Sequence, residues 1–223
     1  MKKFAIAVDG PAGSGKSTVA KRVAAKLGII YVDTGAMYRT VALHCTQKGI
    51  ALEEEEAVVA SLDMLDMRIE PNTEGQKIFL NGTDVTAEIR TAEIGKGAST
   101  VGAYQKVRER MVELQQEMAK EHSVIMDGRD IGTVVLPDAE VKIYLDAGVA
   151  ERARRRVGEL IAKGENPDFD EIKKMIEQRD YNDMNREHSP LKKAEDALCL
   201  DSTGMEIAEV EQAILDIVSE RVK

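Results

Sequence analysis

The sequence predicts an α/β fold built around a parallel sheet, and three observations lead to this expectation. Short apolar runs typical of buried strands alternate with helical segments from the start of the chain. A glycine-rich turn follows the first of these runs. The length of 223 residues, 43% of them hydrophobic and 32% charged, suits one α/β domain with a small insert, or at most two small domains.

The first part of the chain contains two strand-helix pairs. Gly28 and Gly49 are placed to end the two helices, because glycine readily adopts the left-handed conformation found just beyond a helix. Strand-helix alternation of this kind favours parallel pairing. The predicted elements are a strand at 4–8, a helix at 17–27, a strand at 29–32 and a helix at 35–48.

The pattern then changes to short β-like stretches at 66–70 and 77–81. The turn signals Pro71-Asn72 and Asn81-Gly82 follow these stretches. We therefore expect a small antiparallel insert over about 65–85.

The second half returns to helices and buried strands. Asp168 followed by Glu171 is a capping signal that opens a helix, and Thr203 followed by Glu206 predicts the start of the C-terminal helix. Apolar stripes at helical spacing are more often core than functional site. The predicted elements are helices at 104–120 and 151–163 and strands at 123–126, 141–145 and 197–200; the stripes are Val107, Met111, Leu114 and Met118, and Ile207, Val210, Ile214 and Ile217.

The turn after the first strand carries a phosphate-binding motif. Residues 10–17 match G-x-x-x-x-G-K-S/T between a predicted strand and a predicted helix, which is the context that confirms the motif. Its glycines let backbone N–H groups point at a phosphate. Lys16, expected to be exposed, would reach the β- and γ-phosphates, and Ser17 would be a Mg²⁺ ligand. The predicted ATP-binding residues are Gly10, Pro11, Ala12, Gly13, Ser14, Gly15, Lys16, Ser17 and Thr18.

Two polar segments follow predicted strands. The segment DTGAMYR (33–39) follows the second strand, and DGRD (127–130) follows the strand at 123–126. Ligands of parallel sheets bind at the carboxyl ends of the strands, so both segments are expected at one edge. Asp127 has the position of a carboxylate that holds Mg²⁺ directly or through water.

Charged residues later in the chain have two interpretations. Arg179, Asp183 and Arg186 are spaced to share one helix face, which would be either a ligand-binding face or a surface ion-pair ladder.

Arginines crowd the helix at 151–163. They would form either a lid that closes on a transferring phosphoryl group or a solvated helix face. The solvated face competes most strongly for Arg152 and Arg154. The members of the run are Arg152, Arg154, Arg155 and Arg156.

Composition narrows the class of protein. The formal net charge of −9 disfavours non-specific binding to nucleic acid. Cys45 and Cys199 lie far apart, so we expect two buried free thiols instead of a disulfide or a metal site. No apolar stretch has the length of a transmembrane helix, and the N-terminal apolar run leads into the glycine turn instead of a cleavage site. We expect a cytoplasmic protein.

Nine segments carry a resemblance to a known family. They are GPAGSGKST (10–18), DTGAMYR (33–39), EIRTAEIGKGAST (88–100), VRE (107–109), DGRDIGTVV (127–135), ERARRR (151–156), RDYNDMNRE (179–187), SPL (189–191) and LDST (200–203). Together they resemble the bacterial cytidylate kinases, which are nucleoside-monophosphate kinases, over nearly the whole chain.

The resemblance implies a P-loop NTPase fold with a five-stranded parallel sheet flanked by helices, a small β-containing acceptor-binding insert and a helical lid. It implies one domain, with a core of 1–64, 101–148 and 190–223, a CMP-binding insert at 65–100 and a lid at 149–189.

The resemblance also implies roles for residues at matching positions. A carboxylate can accept from the cytosine amino group, while arginine and serine can donate to its ring nitrogen and carbonyl. Position 34 is often serine in this family, and threonine keeps the hydroxyl. The implied CMP-binding residues are Thr34, Tyr38, Arg39, Arg129 and Arg186 near the phosphate, Ser99, Arg108 and Asp130 at the cytosine edge, and Arg179 and Asp183 near the ribose; the implied catalytic residues are Lys16, Arg129, Arg155 and Arg156.

The predicted function is ATP-dependent phosphorylation of CMP and dCMP to CDP and dCDP by Mg²⁺-assisted in-line transfer. We expect a monomer that uses small-molecule substrates, with no nucleic-acid or membrane partner. A GTPase is disfavoured because the chain has no N-K-x-D motif. The residues alone leave open another small-acceptor kinase, of the adenylate or shikimate type, and a non-catalytic nucleotide switch.

Overall fold

The computed structural model describes residues 3–72 and 75–222 and shows the predicted α/β architecture. The strands are β1 (Ala5–Asp9), β2 (Ile30–Asp33), β3 (Met67–Asn72), β4 (Gly75–Leu80), β5 (Thr83–Asp84), β6 (Val124–Gly128), β7 (Val141–Asp146) and β8 (Leu198–Asp201). The helices are α1 (Lys16–Leu27), α2 (Thr34–Gln47), α3 (Glu55–Ser61), α4 (Ala92–Val101), α5 (Gln105–Glu121), α6 (Val149–Ala162), α7 (Phe169–Asn185) and α8 (Ile207–Arg221).

Five strands form one parallel sheet, as predicted, and the structure gives their order as β2-β6-β1-β7-β8. One face packs against α2 and α5, where Met37 and Met111 are buried, and the other packs against α1 and α8, where Ile214 is buried. Neighbouring strand residues serve opposite layers, since Ile6 belongs to the α1–α8 layer and Ala7 to the α2–α5 layer. Cover on both faces explains why the central strands are continuous apolar runs.

The predicted antiparallel insert is also present. Strands β3, β4 and β5 form a separate antiparallel sheet in that order. Asn81 and Gly82 join β4 to β5 with φ values of 49° and 81°, the left-handed conformation that two-residue hairpin turns need. Pro71 and Asn72 belong to β3 instead of a turn, and residues 73 and 74, which would complete it, lie outside the described residues. Among the helices of the described ranges, none is long and apolar enough to span a bilayer.

One of the two predicted helix starts is confirmed. Asp168 accepts a hydrogen bond from the backbone N–H of Glu171 at 2.8 Å and caps α7. The C-terminal helix begins later than expected, because its capping box is formed by Glu206 and Glu209. Thr203 instead accepts a hydrogen bond from the backbone N–H of Gly148 at 3.0 Å.

Two predicted buried positions near the C-terminus are exposed. Ile207 is the first residue of α8 and is 45% exposed, whereas Val210 and Ile214 of the same stripe are buried. Cys45 is buried as predicted, but Cys199 is exposed. Cys199 is exposed because β8 is the edge strand of the sheet, next to β7.

Close packing between α2 and α4 depends on a glycine in α4. A Cβ at Gly97 would lie 2.6 Å from Leu52 Cδ1 and 3.1 Å from Ala42 Cβ, whereas a Cβ at Gly95 of the same helix would meet no atom within 4 Å. We therefore expect Gly97→Ala to lower the free energy of unfolding by about 1 to 3 kcal/mol through overpacking. Gly95→Ala is the matched control and is expected to be neutral or stabilising by up to about 1 kcal/mol. Urea denaturation measures both, and equal stability of the two variants would contradict this packing.

Candidate active site

The phosphate-binding loop joins β1 to α1 at the carboxyl edge of the sheet. Gly10, Gly13 and Gly15 have φ values of 148°, 79° and 90°, which residues with side chains rarely adopt. Gly10 is also constrained by space, because a Cβ there would lie 2.0 Å from the carbonyl oxygen of Leu145. The loop therefore curls tightly and brings its amides to the N-terminus of α1, an arrangement suited to anions.

Lys16 is buried in this loop, which corrects the expectation that it is exposed. It is only 5% exposed, and its Nζ donates to the Pro11 carbonyl at 2.6 Å and to Ser14 Oγ at 3.3 Å. Burial, and next the charge of Arg129, lower the pKa of the Lys16 ammonium. An anion in the loop would oppose both effects, so the site favours a ligand that carries negative charge.

Asp127 is the last residue but one of β6 and lies beside the phosphate-binding loop. Its two carboxylate oxygens accept from the Ser17 hydroxyl at 2.7 Å and from the Tyr31 hydroxyl at 2.8 Å. Burial, and next the nearby carboxylate of Asp33, raise the pKa of Asp127. The described residues hold no group of three or more His, Cys, Asp or Glu side chains suited to a metal ion. Ser17 and Asp127 nevertheless supply the hard oxygen ligands that Mg²⁺ uses together with phosphates and water.

The segment after β2 is held by hydrogen bonds at the same carboxyl edge of the sheet. Asp33 caps α2 by accepting from the backbone N–H of Ala36 at 3.0 Å, and its own N–H donates to Gln76 of the insert at 2.9 Å. The Thr34 hydroxyl donates to the carbonyl of Asp127 at 2.7 Å. The predicted meeting of the two polar segments is therefore observed, and the insert is attached at the same point.

Asp130 forms a buried cluster with two arginines. Arg108 makes an ion pair with one carboxylate oxygen of Asp130, and Arg186 lies 3.5 Å from the other. Arg108 also donates to the carbonyl of Gly102 at 3.1 Å, and its guanidinium lies 5.3 Å from the centroid of the Tyr38 ring. Burial raises the pKa of Tyr38 to about 12, so the phenol stays neutral. The cluster offers fixed donors and acceptors side by side.

A second cluster contains two cations, Arg129 and Arg179, and one anion, Asp183. Arg129 donates from Nε to Asp183 at 2.7 Å. Arg179 has a buried Nε that finds no hydrogen-bond partner in the described part of the chain. Burial, and next the charge of Arg129, lower the pKa of Arg179 to about 10. An unpaired buried donor beside a second guanidinium is suited to an anionic ligand.

Three predicted acceptor-site residues differ from the expected arrangement or lie at its margin. Arg186 does not share a helix face with Arg179, because α7 ends at Asn185 and Arg186 follows it in an extended conformation. Ser99 is on the exposed side of α4. Arg39 is half-buried on α2, and its charge helps to lower the pKa of Arg179.

Two of the arginines predicted for a lid lie on α6 with different partners. Arg155 donates to the carbonyls of Ser202 at 2.7 Å and Ser14 at 3.3 Å, so it already touches the phosphate-binding loop. Arg156 is half-buried and makes an ion pair with Glu159 at 2.9 Å. Both cations belong to the helix that borders the loop.

The remaining two arginines of the run are not equivalent. Arg154 is solvent-exposed and pairs with Glu151 at 3.0 Å, as the surface interpretation predicts. Arg152 is 3% exposed and makes an ion pair with Asp180 at 2.7 Å, so a solvated face is wrong for this residue. A surface arginine and a buried one cannot be told apart from their position in a run of like charges.

Sequence reasoning missed Asp9. This residue ends β1, and its carboxylate accepts from the backbone N–H groups of Ile131 at 2.8 Å and Gly132 at 2.7 Å. Burial raises its pKa to about 6. Its position at a strand end, next to Gly10, is the signal that could have identified it. Gln76 and Tyr31 were also missed, and no local pattern marks either of them.

Comparison with known proteins decides the family. A family model described as cytidylate kinase matches residues 6–220. The chain belongs to the cytidylate kinase family. The curated cytidylate kinase of Leuconostoc mesenteroides is 50% identical over 222 residues, with 100% of this chain and 99% of the relative covered. That of Bacillus pumilus is 53% identical over 215 residues, with 96% of each covered.

Solved structures agree with the fold. An uncharacterized protein from Eubacterium ventriosum has a TM-score of 0.56 at 14% identity and covers 98% of this chain and all of its own. A gluconokinase from Sinorhizobium meliloti has a TM-score of 0.51 at 12% identity, with 98% and 94% covered. At such identities the likeness concerns the fold alone. The family matches confirm the predicted cytidylate kinase family and its reaction, the ATP-dependent phosphorylation of CMP.

The hydrogen bond from Tyr31 to Asp127 is testable by deleting one oxygen. Tyr31→Phe leaves a buried carboxylate oxygen without its donor, so we expect it to lower the free energy of unfolding by about 1.5 to 3 kcal/mol. Tyr104→Phe is the matched control, because the Tyr104 hydroxyl donates at the same 2.8 Å to a neutral carbonyl, that of Leu52. Its expected cost is about 0.5 to 1.5 kcal/mol. Urea unfolding at pH 8 compares them, and a smaller loss for Tyr31→Phe would contradict the assignment.

Proposed function

We propose that this chain transfers the γ-phosphoryl group of ATP to CMP, and to dCMP, at the carboxyl edge of the parallel sheet. The observation that carries the proposal is the meeting of two unlike sites at one edge. The phosphate-binding loop supplies amides and Lys16, and the buried group of Arg108, Asp130 and Arg186 supplies directional hydrogen-bonding groups. A phosphate donor and a polar nucleobase are the ligands that such sites recognise.

On the donor side, the loop amides would bind the phosphates of ATP. Lys16 would exchange its two bonds within the loop for phosphate oxygens, because a polyphosphate offers it more negative charge. Arg155 borders the loop at Ser14 and would contact the same phosphates. The donor site extends along residues 10–18, as the motif predicts.

We propose Mg²⁺ as the cofactor, held by Ser17 and Asp127. The two oxygens already face each other at 2.7 Å, and Asp127 is oriented from its other side by Tyr31. The ion, when bound with ATP, would supply charge neutralisation at the β- and γ-phosphates. The chain's own part is to orient Asp127, through the hydroxyls of Ser17 and Tyr31 that donate to its two oxygens.

On the acceptor side, we propose three groups of contacts. Asp130 would accept from the cytosine amino group, with Arg108 and Ser99 as donors to the ring. The unpaired donor of Arg179 and the carboxylate of Asp183 would lie near the ribose. The residues proposed around the CMP phosphate are Thr34, Tyr38, Arg39, Arg129 and Arg186.

Transfer itself needs position and positive charge more than covalent chemistry. Arg129 lies near Lys16, and its charge adds to burial in lowering the pKa of the Lys16 ammonium. A phosphoryl group moving between ATP and CMP would relieve this repulsion by placing negative charge between the cations. Arg155 and Arg156 would add charge from the lid side and help to exclude water.

We further propose the division into core (1–64, 101–148, 190–223), insert (65–100) and lid (149–189), and action as a cytoplasmic monomer on free nucleotides. One chain supplies every residue assigned above, which supports a monomer. A net charge of −9 disfavours a phosphate backbone as substrate. The use of ATP as phosphoryl donor supports the cytoplasmic location. Light scattering during gel filtration tests the oligomeric state, and a dimer mass would overturn it.

The reaction is tested by ADP release across CMP, dCMP, UMP, AMP and shikimate. We expect ADP in proportion to CMP and dCMP, and little with AMP or shikimate. Lys16→Met keeps the buried aliphatic stem but removes the cation, so turnover should fall by about 100-fold or more. Lys193→Met, at an exposed position, is the control and should keep turnover unchanged. ADP release that ignores CMP would refute the proposal.

Acceptor recognition is tested at Arg108. Arg108→Met removes a buried donor, so kcat/KM for CMP should fall by about 10- to 100-fold while KM for ATP changes little. Arg110→Met removes an exposed arginine from the same helix, which pairs with Glu113 at 3.3 Å, and should leave both constants unchanged. Steady-state kinetics with each substrate varied gives the comparison. Equal losses for ATP and CMP would assign Arg108 to the structure instead of the acceptor site.

Lid closure is tested by hydrogen exchange across residues 149–165. An ATP analogue and CMP together bring phosphate anions to the cationic side of α6, so we expect slower exchange in the ternary complex than in the free protein. The slowing of exchange on ligand binding should be smaller in the Arg155→Ala and Arg156→Ala variants than in the wild type. Identical exchange in free and ternary protein would show that α6 does not close.

A further inference from the structure

Ala12, in the middle of the phosphate-binding loop, is held on both sides of its backbone by one ion pair. Arg152 donates from Nη1 to the carbonyl of Ala12 at 2.9 Å, and Asp180 accepts from the N–H of Ala12 at 3.4 Å. Arg152 and Asp180 pair with each other at 2.7 Å, and their side chains are only 4% and 10% exposed. The ion pair therefore holds the loop at one residue, from α6 and α7 together.

Two further contacts fix this arrangement. Arg152 donates from Nε to the carbonyl of Ala147 at 2.8 Å, so its guanidinium is anchored to the chain before α6. A Cβ at Gly13 would lie 3.3 Å from the Cβ of Arg152, which shows how closely the loop approaches α6. Replacing a buried ion pair by apolar residues often leaves a protein equally stable, so stability alone does not explain the pair of Arg152 and Asp180. Its directional contacts with the loop are the better explanation.

The helix that carries Asp180 also reaches the acceptor side. Arg179 and Asp183, which the proposed function assigns to CMP, lie on α7 on either side of Asp180 in the sequence. Asp183 accepts a hydrogen bond from Nε of Arg129 at 2.7 Å, which ties α7 to the segment after β6. A shift of α7 on acceptor binding would therefore be transmitted to Ala12 through Asp180 and Arg152.

We propose that Arg152 and Asp180 are positioning residues that hold the phosphate-binding loop in its ATP-binding shape and couple CMP binding to ATP affinity. The inference rests on the proposed function for the identity of the two ligands. Neither residue touches the reacting groups. Each acts through Ala12, and α7 provides the connection to the acceptor. Coupling of this kind is reciprocal, so each substrate would raise affinity for the other by the same factor.

Asp180→Asn tests the proposal with a nearly isosteric change. The asparagine keeps an oxygen for the N–H of Ala12 but removes the charge that pairs with Arg152. Calorimetry measures the Kd of a non-hydrolysable ATP analogue alone, its Kd at saturating CMP, and the Kd of CMP alone. We expect the analogue alone to bind about 10-fold more weakly, CMP alone to bind within about twofold of the wild type, and the effect of CMP on the analogue to disappear.

Glu177→Gln is the matched control on α7. It converts an acid to an amide one turn away, where Glu177 is exposed and lies 3.7 Å from Lys173. All three constants should equal those of the wild type. If Asp180→Asn fails to fold, Arg152→Lys is measured in the same way, because lysine keeps the charge but cannot reach Ala12, Ala147 and Asp180 together, and the same pattern is expected.

Three outcomes would overturn the inference. One is a lower melting temperature with unchanged affinity for the analogue, which would make the ion pair a structural contact only. The second is an equal loss for both ligands. The third is a wild type in which CMP does not alter analogue affinity. Failure of the proposed function is distinguishable, because the wild type would then not bind CMP at all, while the analogue measurement alone still reports on the loop.

Discussion

Three carboxylates lie at the carboxyl ends of three adjacent strands, and the rest of the site depends on how each of them is satisfied. Asp9 and Asp33 are the last residues of β1 and β2, Asp127 is the last but one of β6, and Asp33 is the register partner of Asp127. Like charges held so close in a buried place are costly unless each finds donors. Here the donors are backbone amides for Asp9 and Asp33 and two hydroxyls for Asp127, so the edge keeps its acids without a matching number of cations.

Each of these hydrogen-bond donors belongs to a segment of the donor or the acceptor site. The bonds that stabilise the three carboxylates therefore also assemble the two substrate sites. Asp9 fixes the single π-helical turn Ile131–Val135, directly after Asp130. The carboxylate of Asp33 fixes the start of α2, and the backbone N–H of the same residue donates to Gln76 of the insert. Asp127 fixes Ser17 at the donor loop. Donor and acceptor groups are therefore built on one rigid strand edge, which is how a fold keeps two ligands in reacting geometry.

The sequence predicted those features of the fold and the site that depend on residues close together in the chain. The five parallel strands follow from apolar runs, and the phosphate-binding loop follows from glycines whose φ values no other residue would adopt easily. What it missed depends on residues far apart in the chain. Arg152 is buried because Asp180 and Ala12 contact it. The burial of Lys16 has a local cause, since its ammonium donates to Pro11 and Ser14 of the same loop. The range of α7 was misjudged for a local reason, since spacing alone does not show that the helix ends before Arg186.

The edge position of β8 has a practical consequence for work with the protein. Of the two cysteines, Cys45 is enclosed and Cys199 is open to solvent. Cys199 lies three residues before Ser202, whose carbonyl accepts from Arg155 of α6. A maleimide dye would therefore attach at one place in the native chain, without any engineered thiol. Its emission would report on the border between the sheet edge and α6, where the polarity of the surroundings changes if that helix moves.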